Sequence, residues 1–504
     1  MKRFDRASGV LLHPTALPGK RGIGSLGREA SAFVDWLADA GQRYWQICPL
    51  VPTGYGDSPY QGFSAFAGNP NLIDLDELID LDLLEKTDLR SFDGLPEDRV
   101  DFGTLIPLKK AALEAAWRRF QDGRGPNGME SEYAAFKAKA AYWLDDFALF
   151  MVLKDRHGGH PWNLWNEEFR LRTPEALESL AKDDAGNLES HRFFQFLFFR
   201  QWSALKKAAA AKGIGIIGDL PIFVSFDSSD CWANPGLFQL DSKRNPVRVA
   251  GVPPDYFSKT GQLWGNPLYD WKAMQRNGFA WWISVLRDKL NQYDVLRIDH
   301  FRGFSAFWSV PFGEKTAVNG KWVPAPGRAL FEEVRKQLGD IPIIAEDLGV
   351  ITDDVVELID RCGFPGMKVL QFAFDSSEEN DYLPHNYGNH CLVYTGTHDN
   401  DTSAGWYDSA PESDRRTARE YLGLDEDAGG KDAAAAMVRA ALASVADVAV
   451  TPLQDILELG SEARFNTPGT LGGNWTWRAP SGSFGAAEAA RLRKLTEIYG
   501  RTAR

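Results

Sequence analysis

Cysteine is scarce in this chain. The 504 residues hold four, Cys48, Cys231, Cys362 and Cys391, scattered and without CxxC spacing. That argues against a disulfide framework and a zinc site, and it fits a reducing compartment such as the cytoplasm. No apolar run reaches 18 residues, so no transmembrane helix is expected. The N-terminal Met1-Lys-Arg-Phe-Asp-Arg lacks a signal-peptide design. Basic charge is in deficit: 56 Lys and Arg against 69 Asp and Glu leave a formal charge of −13, spread along the chain. Nucleic acid and anionic membrane both need a basic surface, so neither is an expected partner. A neutral substrate such as a sugar suits this balance. No internal repeat appears beyond an alternation of short strands with helices.

That alternation is the main signal present. Candidate strands are Val10–His13, Tyr44–Pro49, Ile214–Leu220, Val295–Asp299, Pro342–Glu346, Met367–Phe372, Cys391–Thr397 and Val448–Pro452. Between them run helical patterns such as Gly27–Ala40, Phe279–Tyr293, Gly327–Leu338 and Asp353–Cys362. Eight strands alternating with helices predict an α/β fold, a (β/α)8 TIM barrel, with an open doubly wound sheet as the competitor. Length alone suggests about three domains, yet barrels with insertions run past roughly 400 residues as one unit. The expectation is one catalytic barrel over residues 1–504. Two stretches are too long for simple βα units: 53–190, largely helical, and 221–278, rich in Pro, Gly and aromatics. Both follow strand ends, so both are expected over the catalytic face. The chain ends directly after its last helix, and no appended C-terminal β-domain is expected.

Three strand runs end in carboxylates: Asp299 after Val295-Leu-Arg-Ile, Glu346 after Ile341-Pro-Ile-Ile-Ala, and Asp399 after Val393-Tyr-Thr-Gly-Thr-His. A charge cannot sit unpaired in a core, so each belongs at a barrel mouth or a sheet crevice. Three converging carboxylates suggest glycoside chemistry, where an acid and a nucleophile flank one bond. Arg297 and Asp299 lie two apart on a strand and share a face. A guanidinium beside a carboxylate keeps it ionised, as a nucleophile requires; a structural ion pair is the alternative. Glu346 follows an apolar run with no adjacent base, which suits a proton-holding acid. Its alternative role, capping the next helix, is better filled by Thr352. His398-Asp399-Asn400-Asp401 contains metal-binding residue types, but no matching cluster accompanies it, so sugar contact is preferred. Asp219 reads either as a supporting polar residue or as a turn cap.

Gly22-Ile-Gly24-Ser-Leu-Gly27 matches GxGxxG, but Pro14 and Pro18 separate it from its strand, and no acid follows about 20 residues on. A tight turn packing the first helix explains it better than a nucleotide site. Two loops mix aromatics with amides and hydroxyls: Tyr55 to Phe63, and Pro254 to Asn266 with Tyr256, Phe257, Gln262 and Trp264. Aromatic faces stack on pyranose rings while amides bond their hydroxyls, so both loops read as sugar contacts.

These features together resemble the 4-α-glucanotransferases, the amylomaltases or disproportionating enzymes of the α-amylase superfamily. The specific stretches are Ser58-Pro-Tyr-Gln-Gly-Phe-Ser-Ala-Phe-Ala-Gly-Asn-Pro70, Val252 to Trp271, and Gly396-Thr-His-Asp-Asn-Asp-Thr402. The match is weakest over residues 76–190. The resemblance implies retaining transfer of α-1,4-glucan segments between maltooligosaccharides, with no cofactor or metal. It implies Asp299 as nucleophile, Glu346 as acid/base and Asp399 as transition-state stabiliser. Arg297, Asp219, His398 and Tyr60 would surround the donor sugar, and Tyr256, Phe257, Gln262 and Trp264 would cover the cleft near the acceptor. Asp375 would be a further subsite residue and Tyr55 part of a more distant glucan surface. Ser305 and Phe465 depart from the pattern, which often has an acid and a methionine there. Competing classes are an α-glucan hydrolase with the same carboxylates and a glucan-binding protein without turnover.

Overall fold

In the computed structural model, which describes residues 4–54, 56–254, 258–375, 378–470 and 472–502, the eight apolar runs pair side by side as parallel strands. In chain order the twelve strands of the described residues are β1 (Ala7–Leu11), β2 (Tyr44–Gln46), β3 (Gly215–Pro221), β4 (Arg248–Val252), β5 (Gln262–Pro267), β6 (Val295–Asp299), β7 (Ala306–Pro311), β8 (Lys321–Pro324), β9 (Ile343–Ala345), β10 (Gly366–Val369), β11 (Cys391–Tyr394) and β12 (Val448–Pro452). The parallel order is β10-β11-β12-β1-β2-β3-β6-β9. The first and last strands, whose pairing no sequence pattern specifies, lie together from Ala7↔Val448 to Leu11↔Pro452. The Ala345 amide donates to the Pro365 carbonyl at 3.0 Å, joining the strand ends of β9 and β10. The sheet is thus a nearly closed (β/α)8 barrel.

Side chains alternate across each barrel strand, and this decides what reaches the site. Leu11, Ile217, Val295, Ile344, Met367, Val369, Leu392, Tyr394, Val448 and Val450 fill the interior. Leu296, Ile298, Ile343 and Ala345 face outward, toward the helical layer. Each fully buried aliphatic side chain contributes about 1.5–3 kcal/mol. Two residues past the interior Ile217, Val295 and Ile344 stand Asp219, Arg297 and Glu346. The apolar plug therefore sets the depth of the polar mouth.

The helix of Arg28–Asp39 follows the glycine turn. A side chain at Gly24 would meet the Pro14 carbonyl, and one at Gly27 would meet the Asp74 carboxylate. Asp74 also accepts from the Ser25 hydroxyl at 2.6 Å. A carboxylate thus occupies the helix entrance where a nucleotide phosphate would need to sit, and the GxGxxG match is a packing turn.

Between β2 and β3 run long helices at Phe102–Gln121, Met129–Arg156 and Ala185–Ala211. An antiparallel sheet, ordered β5-β4-β7-β8, is built from the segments on both sides of β6. The alternation of strands and helices gave no hint of this sheet, because its strands are short and lie in loop-like sequence.

Candidate active site

Strand β6 delivers Arg297 and Asp299 to one face. Arg297 is 3% exposed and is held by carboxylates on two strands. Its Nη1 donates to Asp219 Oδ2 at 2.6 Å, and its Nη2 lies 3.0 Å from Asp299 Oδ1. Asp299 keeps 29% of its side chain exposed, so it is open to the cleft. Partial withdrawal from water lifts its pKa above the ordinary aspartate value, while Arg297 opposes that shift. The guanidinium moderates burial and does not reverse it.

Glu346 stands just past β9 in a different setting. Its Oε2 accepts the His300 amide at 2.6 Å and its Oε1 accepts the Leu348 amide at 2.8 Å. The Phe301 amide donates to the Glu346 carbonyl at 3.1 Å, clamping the two strand ends together. His300 adopts φ 53°, a left-handed conformation unusual for a residue with a side chain, and this turns its amide onto Glu346. Burial, reinforced by the Asp299 charge, pushes Glu346 well above the ordinary glutamate value. The two amides and Arg297 oppose the shift without cancelling it. Thr352 occupies the expected N-cap position of the Asp353–Cys362 helix, but its side chain makes no capping hydrogen bond.

Asp399 lies on the loop after β11 and keeps 47% of its side chain exposed. Its Oδ1 accepts from Asn466 Nδ2 at 2.6 Å, its Oδ2 lies 3.4 Å from His398 Nε2, and Arg464 donates to its carbonyl at 2.9 Å. The loop itself is anchored from below. Buried Asp455 accepts from the Thr395 hydroxyl, the Ser403 hydroxyl and the Ser403 amide at 2.5–2.7 Å. Tyr60 closes the group: its hydroxyl donates to Asp219 Oδ2 at 2.6 Å and its ring stacks on His398 at 4.9 Å. Trp475 lies against both rings, at 5.9 and 5.7 Å.

Asp219, Arg297, Asp299, Tyr60, His398 and Asp399 thus form one connected set, with Glu346 tied to β6 beside it. Trp264 meets the His300 ring edge-on at 4.8 Å and donates to Gln262 at 3.1 Å, putting both beside the Glu346 clamp. Asp375 is exposed and accepts from Asn380 at 3.2 Å; no contact joins it to the carboxylates among the described residues. Tyr55, Tyr256 and Phe257 lie outside the described residues. Ser305 bonds Asp354, and Phe465 is buried against Trp475 and Trp477. Asn466, Arg464, Asp455 and His300 escape sequence reasoning, because each acts across the fold on a residue distant in sequence or through its backbone.

The family model described as 4-alpha-glucanotransferase matches residues 12–483. The chain belongs to the 4-alpha-glucanotransferase family. A 4-alpha-glucanotransferase of Thermus thermophilus is 51% identical over 505 residues, covering 99% of both chains. One from Synechocystis is 48% identical, covering 98% of both. The solved amylomaltase from Streptococcus agalactiae, in complex with acarbose, superposes with a TM-score of 0.95 at 40% identity, covering 99% of this chain and all of that one. In this chain the connected polar set lies at the mouth of the barrel.

Proposed function

We propose that this chain's 4-α-glucan transfer runs as a double displacement on Asp299 and Glu346. Glu346 gives its proton to the glycosidic oxygen while an Asp299 carboxylate oxygen attacks the anomeric carbon. The C–O bond breaks, the leaving glucan takes the proton, and a β-glycosyl ester forms on Asp299. The 4-hydroxyl of a second glucan or of glucose then gives its proton to Glu346 and attacks the ester carbon. Two inversions restore the α-linkage. Asp399, oriented by Asn466 and His398, accepts from sugar hydroxyls as charge develops on the ring. Asp219 and Arg297 shape the same subsite with Tyr60, whose ring and hydroxyl suit a pyranose.

The observation that carries this reading is the unlike setting of two carboxylates at one mouth. Glu346 is enclosed, bound among the described residues by two backbone amides, and pushed toward its protonated form. Asp299 is partly open and faces a guanidinium at 3.0 Å. Carboxylates whose surroundings separate their proton affinities divide acid and nucleophile roles.

Transfer outruns hydrolysis when the cleft excludes water and holds an acceptor. Tyr256 and Phe257, between β4 and β5, with Gln262 and Trp264, are proposed to do both. Asp375 is retained as an outer subsite residue and Tyr55 as a remote glucan contact. Residues 1–504 are read as one catalytic unit, with 53–190 and 221–278 as insertions over the cleft. Maltooligosaccharides and other α-1,4-glucans are the proposed substrates, and acarbose in the S. agalactiae relative is consistent with that class. Four free, buried cysteines accord with a cytoplasmic location.

Incubation with maltotriose tests the reaction. A ladder of longer chains plus glucose, at constant total reducing ends, is expected. Rising reducing ends without longer chains would make hydrolysis the activity instead.

A further inference from the structure

Each of the three guanidinium nitrogens of Arg297 meets a partner inside the barrel. Nη1 and Nη2 meet carboxylates, as described. The third, Nε, donates to the thioether sulfur of Met367 at 3.3 Å. Met367 is 1% exposed and sits on β10 within the interior cluster, where it is the one methionine among aliphatic neighbours and Tyr394 in the described residues. Packing alone would accept leucine at such a position. A charged donor buried this deeply needs an acceptor, and the strand carbonyls around it are engaged in the parallel ladder.

We propose that Met367 is a positioning residue for the transfer reaction, its sulfur fixing the guanidinium plane of Arg297 so that Nη1 and Nη2 stay aimed at Asp219 and Asp299. The choice of sulfur has a chemical reason. A thioether is a weak, neutral acceptor. It satisfies Nε without drawing positive charge away from the two carboxylates, as a third carboxylate would. It also keeps the barrel interior apolar immediately below the mouth. With an aliphatic side chain in its place, Nε has no partner, and the guanidinium turns toward whatever acceptor it can reach. Asp299 then loses part of the cation that favours its ionised form. The effect passes through Arg297, since Met367 touches no substrate.

This inference rests on Asp299 being the nucleophile, and the test separates the two. Met367→Leu keeps the side-chain volume, and its fold is checked by circular dichroism beside the wild type. Its kcat for maltotriose disproportionation is expected to fall about tenfold, with KM within about twofold, because one charged donor loses its acceptor. The acid limb of its kcat/KM profile moves to higher pH. Wild-type protein carrying norleucine in place of methionine, the same shape without sulfur, shows the same loss, and norleucine incorporation into Met367→Leu adds nothing further. A leucine variant or norleucine protein with wild-type kcat and an unmoved acid limb would overturn the proposal. So would a loss in KM alone, which would indicate disturbed packing. Asp299→Asn that still transfers refutes the nucleophile assignment whatever Met367 does. An inactive Asp299→Asn beside an unaffected Met367→Leu refutes only the role of the sulfur.

Discussion

Replacing Glu346 by glutamine gives an outcome that can be worked out from its hydrogen bonds. Both carboxylate oxygens accept a backbone amide, from His300 at 2.6 Å and Leu348 at 2.8 Å. Glutamine has one oxygen, so its NH2 must face one of those N–H groups. An unsatisfied buried donor costs about 1–3 kcal/mol. For a chain of this length, that bounds the fall in Tm to about 1–3 °C. Loss of the proton donor and acceptor removes about 10²- to 10⁴-fold from the rate with maltotriose. The rate loss therefore far exceeds anything unfolding would cause. The discriminating assay supplies a maltotriosyl fluoride donor, whose leaving group needs little protonation. Glu346→Gln is expected to release fluoride in a rapid burst and then stall, because no base activates the acceptor. Azide, which needs no base, restores turnover. A variant equally slow with fluoride and maltotriose, and unmoved by azide, would refute the acid/base assignment.

Further outcomes follow from the same contacts. The kcat/KM profile is bell-shaped, with both limbs above the ordinary carboxylate range, because Asp299 must be ionised and Glu346 protonated while both are raised. Their raised folded-state values also favour the fold most below the ordinary carboxylate range, a contribution that declines as pH rises through the raised values; denaturant midpoints against pH report it. Tyr60→Phe removes the 2.6 Å bond to Asp219 but keeps the ring stack on His398, so kcat/KM falls about 10- to 150-fold, the worth of a hydrogen bond to a charged group. Replacement of Tyr256 or Phe257 by alanine raises the ratio of reducing-end production to transfer; an unchanged ratio in both variants would remove them from water exclusion.

The barrel was legible because its eight strands read as apolar runs, three of which lead into carboxylates. Val295–Asp299 and Val448–Pro452 match the strands residue for residue. The others differ at their ends; Ile47-Cys48-Pro49 and Leu370-Gln371-Phe372, for example, keep apolar residues beyond the last paired one. The antiparallel sheet was not legible. Its strands join segments 248–267 and 306–324, which flank β6, and no local pattern encodes such pairing. In the site, Arg297 with Asp299 follows from period-two alternation. The raised state of Asp299 does not, because it depends on three-dimensional burial that outweighs the adjacent cation. Asn466 and Asp455 were invisible for a related reason: each acts on the Asp399 loop from more than 50 residues away, by contacts that only folding creates.

In the proposed double displacement, Asp299 carries the glucan between donor and acceptor. Glu346→Gln incubated with maltotriosyl fluoride, quenched, digested and mapped by mass spectrometry tests it most directly. A maltotriosyl adduct on the peptide containing Val295–Asp299, located on Asp299, is predicted. An adduct on Asp399 or Asp219, or fluoride release at a full burst with no adduct anywhere, would remove Asp299 as the nucleophile.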